Sequence, residues 1–440
     1  MAGRKGSRMH TREELRMRQA LPLNLKIRLT EERIREWINH YGIDGVYISF
    51  SGGKDSTVLL DIARRNYPNI KAAFADIPTQ YPELRQFVKT FENVDIVKPK
   101  IGFIEVCEKY GFPLFSKEIS ECVNSARKYL TNIADMRLAL TDRQTDRQIA
   151  GAYAFADLLG IERRAADSKQ TYQDLKNGII PSEAFENAPV RVQQLFGKVR
   201  HKKNGKMTSE YSKMFDKSQY QFMLDAPFEI SNACCKVMKK APMHKYSRET
   251  GRAPITAQMA EESKLRESQW IKRGCNSFDS SSPISNPMSF WTEQDVLLYI
   301  KEYLEPPLAD AWKNIYNPIR KKRKKARRAL RRFGYRKTAI CSVYGQVVSD
   351  DEEMGQMQLS DYGFTEFDRG QQALHCTGCD RTGCVLCGFG AHIQGNDRFV
   401  KLKETHPGLY GLLDVVKNNG YTMRQAIDWI AEHSDKVIKY

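Results

Sequence analysis

The stretch VYISFSGGKDST (46–57) constrains the chain more than any other. A short run rich in β-formers, GVYISF (45–50), meets two adjacent glycines and then DSTVLLDIARRNYP (55–68), which has helical spacing and stops near a proline. A strand that ends in Ser-Gly-Gly and runs into a helix gathers free backbone N–H groups and the positive helix end at one point, which is an anion site. The glycines let a phosphate approach the backbone closely, and Lys54 adds a point charge. The spacing is not that of the GxxxxGK[ST] loop.

Strand-like and helix-like segments alternate beyond it: IKAAFAD (70–76), YPELRQFVKTFE (81–92) and VDIVKP (94–99) follow in turn. This βαβαβ order predicts an α/β fold with a doubly wound, mainly parallel sheet. Upstream, LTEERIREWINHY (29–41) has helical periodicity, with Leu29, Ile34, Trp37 and Ile38 on one side and Thr30 as its expected cap. WTEQDVLLYIKEYL (291–304) opens on a capping-box pattern, Thr292 with Asp295, before an apolar stripe. The polar stretch from Ile133 to Ser218, including YAFADLLGIERRAA, is expected to be a helical insertion. The expected organisation is a basic arm and helix (1–40), a nucleotide-binding domain (41–130 and 225–305), the helical insertion (131–224), a basic segment (306–350) and a Cys-rich metal-binding region with C-terminal helices (351–440).

Charge limits the partners. Seventy Lys and Arg against 53 Asp and Glu give +17, and Arg320–Lys337, RKKRKKARRALRRFGYRK, carries twelve cationic residues and no acid. A field this concentrated attracts polyanions. DNA or RNA is the expected partner of 320–337, with Phe333 and Tyr335 placed to stack on bases; a solvated basic face is the plainer alternative. No apolar run reaches the roughly 18 residues of a membrane span, and the basic start lacks the apolar core of a secretory signal, so a cytoplasmic location is expected. In that compartment the ten cysteines point to metal or redox chemistry rather than to a disulfide framework.

Four of them, Cys376, Cys379, Cys384 and Cys387 in CTGCDRTGCVLC, are spaced C-x2-C-x4-C-x2-C. Two close thiolate pairs can surround one soft metal centre, either tetrahedral zinc or a [4Fe–4S] cluster. Cys275 is an outside candidate; Cys107, Cys122 and Cys341 read as core thiols, and His392 and His406 as structural histidines.

Several of these motifs carry a resemblance. SFSGGKDSTVLL looks like the PP-loop of the adenine-nucleotide alpha-hydrolase superfamily, with Ser51, Gly52, Gly53, Lys54, Asp55 and Ser56 on the motif. Within that superfamily the chain most resembles the phosphoadenosine phosphosulfate (PAPS) reductase family. DIPTQYPELRQFV (76–88) is similar to its Asp-Thr-Gly…Pro-Glu segment, matching at Asp76, Thr79, Pro82 and Glu83; GFPLFSKE, CCKVMKKAP and PMSFWTEQDVLLYI resemble further family segments. AQMAEESKLR keeps the family's Glu262, Ser263 and Arg266 but has Ala257 and Met259 in place of its Gly and Arg.

The resemblance implies an adenine nucleotide, ATP or PAPS, held by Ser51–Ser56 and Asp76, with Mg²⁺ helped by Asp55 and with Lys54, Asp55, Lys117, Lys240 and Arg266 as catalytic candidates. Reductases of the family attack with a cysteine in a C-terminal tail, and no cysteine follows Cys387. The chain is closer to the members of mobile elements and of the DNA phosphorothioation type. These imply an ATP pyrophosphatase that activates an acceptor for sulfur transfer with an iron–sulfur cluster and a sulfur-donor partner protein. By analogy with adenylyl sulfate reductases, Cys234 and Cys235 are rival cluster ligands alongside Cys384 and Cys387. A PAPS or adenylyl sulfate reductase, and a non-enzymatic nucleotide-gated DNA-binding or regulatory protein, are the alternatives.

Overall fold

The computed structural model describes residues 10–141, 185, 188–203, 206–278, 281–349, 373–379 and 381–440. The chain forms two compact units, Met1–Lys100 with Val237–Val385, and Ile101–Lys236 with Leu386–Tyr440. This division differs from the expected boundaries. Residues 101–130 and 225–236, expected with the nucleotide domain, belong to the second unit, and the Cys-rich region divides after Val385.

The first unit is built on six strands, β1 (Val46–Ser49), β2 (Ala72–Ala75), β3 (Val94–Val97), β4 (Ala253–Ile255), β5 (Asn276–Ser277) and β6 (Ile284–Ser285), in the order β3-β2-β1-β4-β6-β5. All neighbours are parallel except β5 with β6, so the expected doubly wound, mainly parallel α/β sheet is what the chain forms. Val46, Tyr47 and Ile48 of β1 and Ala72, Ala73 and Phe74 of β2 are buried, as strands covered on both faces must be. β3 lies at the edge, where Asp95 accepts a hydrogen bond from Tyr246 Oη at 2.7 Å and Ile96 is exposed. A charge on an edge strand discourages pairing with other chains.

The chain runs from β1 outward through β2 and β3, then crosses back to place β4 on the other flank of β1. The end of β1 is thus a topological switch point, where open α/β sheets leave a crevice for ligands. Helices α1 (Arg12–Gln19) and α2 (Leu23–Tyr41) precede the sheet, α3 (Lys54–Asn66) follows β1, and α4 (Pro82–Lys89) follows β2. Ile34, Trp37 and Ile38 of α2 are buried as their spacing predicts. Thr30 is not a cap, because α2 begins two turns earlier, after Pro22. Its buried hydroxyl donates to Lys26 O at 2.8 Å and accepts from Trp291 Nε1 at 2.9 Å. The capping box at Thr292 and Asp295 forms, and Asp295 also pairs with the buried Lys26 at 2.6 Å.

In the second unit, Leu114–Phe115 pairs in parallel with Gly388–Phe389, and the helices Phe103–Tyr110, Lys117–Thr141 and Met423–His433 bury Val106, Cys122, Val123, Ile427 and Ile430. Asn418 ties Cys107 O and Glu108 O, each at 3.0 Å, and accepts from Glu229 N at 2.7 Å. The insertion is not wholly helical. Arg200–Lys203 and Lys206–Tyr211 form an antiparallel hairpin, whereas the expected helix at 153–166 lies outside the described residues. No helix among the described residues is long and apolar enough to cross a membrane.

Candidate functional site

The loop between β1 and α3 takes its shape from the glycines. Gly52 has φ +74°, the left-handed region that glycine enters without cost, and Gly53 is the N-cap of α3. A β-carbon on Gly52 would stand 2.8 Å from both Leu84 Cδ1 and Val88 Cγ2, so α4 packs directly on the turn. Ser51 and Ser56 brace it, their hydroxyls 2.9 Å apart, with Ser51 Oγ accepting from Gly53 N and Ser56 Oγ donating to Gly53 O. The six residues Ser51–Ser56 are therefore brought together at the switch point, at the N-terminus of a buried helix.

Lys54 is 5% exposed, and its Nζ lies 2.8 Å from a Glu293 carboxylate oxygen and 5.5 Å from the centre of the Tyr344 ring. Burial works against its charge, but Asp55, Glu293 and Tyr344 outweigh it and hold its pKa above the ordinary value. Asp55 is the opposite case. Burial pushes its pKa up to about 6; Lys54 and Arg381 oppose this, and Glu262 and Glu293 add to it. Among the described residues, its Oδ1 is buried without a hydrogen-bond partner. Because the folded-state value lies above the ordinary 3.8, the folded protein holds this proton more tightly than the unfolded chain, and stability falls as pH rises from about 4 through about 6. Asp55→Asn is accordingly expected to melt higher than the parent at pH 8, with a smaller advantage at pH 5. An equal advantage at both values would show that ionisation is not the cause.

The other candidates fall in both units. Asp76, at the end of β2, is ion-paired with Arg85 Nε at 2.7 Å. Arg266 pairs with Glu262, one turn back, and its backbone N–H donates to the Ser263 hydroxyl that caps the helix Lys264–Arg273. Lys240 is exposed in the first unit, whereas Lys117, Cys234, Cys235 and Cys387 belong to the second.

Three of the four spaced cysteines, Cys376, Cys379 and Cys384, lie in the first unit. Leu374–Cys376 pairs antiparallel with Val347–Ser349, and the ladder continues as Thr377 N to Gln346 O, Gly378 N to Tyr344 O and Cys379 N to Val343 O. The segment then meets the loop after β2, where Thr79 Oγ1 is 2.7 Å from Cys384 Sγ and Tyr81 Oη is 3.4 Å from Cys379 Sγ. Among the described residues, no three Cys, His, Asp or Glu side chains are gathered so as to hold a metal ion. Cys107, Cys122, Cys275 and Cys341 are buried. His392 sits in an aromatic cluster with Phe115 and Tyr220, and His406 bonds to its neighbour Thr405.

The basic segment forms the helix Arg320–Arg332, which buries Ala326 and Leu330. Phe333 continues that stripe and is 2% exposed, so it is a core residue rather than a base-stacking one; Tyr335 is half exposed. Arg336 is also buried, 4.7 Å from the Phe91 ring and 5.3 Å from the Phe333 ring. On the outer face, Arg320, Arg323, Lys324, Arg327, Arg328 and Arg331 line one open recess.

Residues 45–153 are similar to the phosphoadenosine phosphosulfate reductase domain. The match takes in β1, the glycine loop, α3 and the β2–α4 turn, and it supports a PP-loop nucleotide-binding family of enzymes. It ends before Lys240, Arg266, the basic helix and the spaced cysteines. No curated protein matches the chain. Four residues at the loop went unforeseen in the sequence: Glu293, Tyr344, Arg381 and Thr382. Only Arg381 and Thr382 had a signal, their place between two cysteine pairs.

Proposed function

We propose that the chain is a PP-loop ATP pyrophosphatase that activates an acceptor, a nucleic acid held by Arg320–Arg332, for sulfur transfer. What supports this most is the loop itself: a left-handed Gly52 and an N-capping Gly53 at the switch point, with Lys54 buried beside them. Backbone donors fixed at a helix N-terminus stabilise charge that develops on phosphate oxygens without reorganising during the reaction. An acceptor oxygen attacks the α-phosphorus, the bond to the β,γ-phosphates breaks, and pyrophosphate leaves as the anion. The terminal sulfur of a persulfide on a donor protein then attacks the activated centre and AMP leaves with the acceptor oxygen; a second thiol of the donor cleaves the S–S bond, leaving sulfur on the acceptor and a disulfide on the donor. Lys54 exchanges Glu293 for a phosphate oxygen, and Asp55, ionised above about pH 6, is the carboxylate available to Mg²⁺. Lys240 and Arg266, in the same unit as the loop, are further candidate contacts for the triphosphate.

A [4Fe–4S] cluster, or zinc, on Cys376, Cys379, Cys384 and Cys387 belongs to the proposal through cysteine spacing, and the preference for a cluster, with Cys234 and Cys235 as rival ligands, through the resemblance to adenylyl sulfate reductases. The described thiols are not gathered around a metal-sized point, so no step is derived through such a centre. Iron and zinc analysis of anaerobically purified protein is expected to return about four irons per chain. One zinc without iron would replace the cluster with a structural site.

The deciding assay is pyrophosphate release from ATP with DNA or RNA present. Release is expected to depend on nucleic acid and to fall roughly 10²-fold in Lys54→Ala. If six phosphates are neutralised by the outer face of the basic helix, the logarithm of the affinity should fall with the logarithm of the salt concentration at a slope of about −5. A second reading is favoured by the family match, that of a PAPS reductase. Sulfite release from PAPS with a thiol reductant, and no pyrophosphate release from ATP, would decide for it. Nucleotide binding with neither product would leave a nucleotide-gated binding protein.

A further inference from the structure

The first backbone donor of α3, Lys54 N–H, points at a side chain from far along the chain: its acceptor is Tyr344 Oη, at 3.2 Å. The same phenolic oxygen lies 2.8 Å from Thr382 Oγ1. A β-carbon on Gly53 would meet Tyr344 Oη at 3.1 Å and Thr382 Oγ1 at 3.3 Å, so the two hydroxyls stand directly over the bare backbone that a phosphate must approach. An oxyanion arriving there has two courses. It either receives hydrogen bonds from these hydroxyls or drives them away.

Tyr344 is not placed to move. It is 2% exposed, it ends the 3-10 turn Ser342–Tyr344, and its carbonyl accepts from Gly378 N at 2.9 Å while Val343 O accepts from Cys379 N at 2.8 Å. Gly378 is packed so closely that a β-carbon on it would fall 2.4 Å from Val343 O. A ring anchored on both sides is a wall of the site, not a plug in it. We infer that Tyr344 and Thr382 are phosphate-binding residues, contributed by the cysteine-bearing half of the first unit, which donate their hydroxyl hydrogens to the same phosphate oxygens that the Ser51–Ser56 loop binds.

This inference rests on the nucleotide reading of that loop and adds to it two ligands from outside the family-matched stretch. The donor role requires the phenol to keep its proton. Burial raises the Tyr344 pKa to about 12, so it does so at any working pH. Only the hydroxyl hydrogens turn: one of the two hydroxyls donates to the other across 2.8 Å, and both direct their hydrogens to an arriving phosphate.

The test is calorimetric titration of the full chain with inorganic pyrophosphate and with ATP, in the parent and in Tyr344→Phe and Thr382→Val. Both replacements keep size and shape, and unfolding midpoints near the parent's would verify folding. Each is expected to weaken pyrophosphate and ATP by the same factor, roughly 10- to 100-fold, the scale of a hydrogen bond to a charged group. Unchanged or tighter binding in Tyr344→Phe would overturn the inference while leaving the nucleotide reading intact. A parent chain that binds neither ligand would sink both.

Discussion

Gly52→Ala is expected to lower stability by about 2–5 kcal/mol, the sum of roughly 1–2 kcal/mol for a left-handed non-glycine residue and roughly 1–3 kcal/mol for overpacking, and to abolish ATP binding. At φ +74° any L side chain is strained, and the new methyl would sit 2.8 Å from Leu84 Cδ1 and Val88 Cγ2. Those two side chains are buried in the face of α4 and have nowhere to go. Gly53→Ala is the informative contrast. Its φ is −73°, an ordinary value, and its β-carbon would meet only hydroxyl oxygens at 3.1–3.3 Å. That variant should fold close to normally and still lose binding, because the methyl fills the space a phosphate oxygen needs. Urea denaturation and calorimetric titration of the pair separate the two roles: Gly52 shapes the turn, Gly53 keeps it open. A Gly52→Ala protein within 0.5 kcal/mol of the parent would mean that α4 yields more easily than its packing indicates.

How much of this was legible depended on how local the cause was. β1, the glycine turn and α3 were readable because periodicity and backbone freedom act within a dozen residues. The same was true of the capping box at Thr292. The basic helix was legible in its charge, but its apolar stripe of Ala326, Leu330 and Phe333, spaced four and three apart, is diluted by the cationic residues around it, which hides the burial of Phe333. The hairpin within the insertion also had a signal, the Asn204-Gly205 dipeptide, which hairpins favour; the charged residues around it concealed the strands. Thr30 looked like a cap because its type fits one, yet Pro22 sets the start of α2. The contacts of Tyr344 and Glu293 with residue 54 had no local signature, and the place of Thr382 between two cysteine pairs marked the residue but not its partner. These contacts bridge some 240 to 330 residues of chain and exist only because the sheet folds back across β1.

The same dependence on distant partners makes Asp61→Ala the second large effect expected, a loss of about 3 kcal/mol. Asp61 lies two turns into α3, 7% exposed, and accepts from three donors: Tyr299 Oη at 2.8 Å, Arg332 Nη2 at 2.6 Å and Arg65 Nε at 3.3 Å. Burial first, and then the neighbouring Asp61 carboxylate, raise the Tyr299 pKa far above its ordinary value, so the phenol is a committed donor. Removing the carboxylate strands that buried hydroxyl, at roughly 1–3 kcal/mol, and also removes the counter-charge of Arg332. The second consequence is specific to this chain. The helix Arg320–Arg332 carries ten cationic residues and no acid, so like charges repel along its whole length, and Asp61 is the carboxylate to which its last residue is tied. Asp61→Asn keeps one acceptor oxygen and loses the charge, and it should fall between the parent and the alanine variant in urea denaturation. Salt separates the two terms. Screening relieves the repulsion within the helix but does nothing for a buried hydroxyl without a partner, so raising the salt from 0.1 M to about 1 M should recover part of the Asp61→Asn deficit and a smaller fraction of the Asp61→Ala deficit. Equal fractional recovery in both would mean that charge alone holds the basic helix to α3, and that the hydrogen bond to Tyr299 contributes nothing measurable.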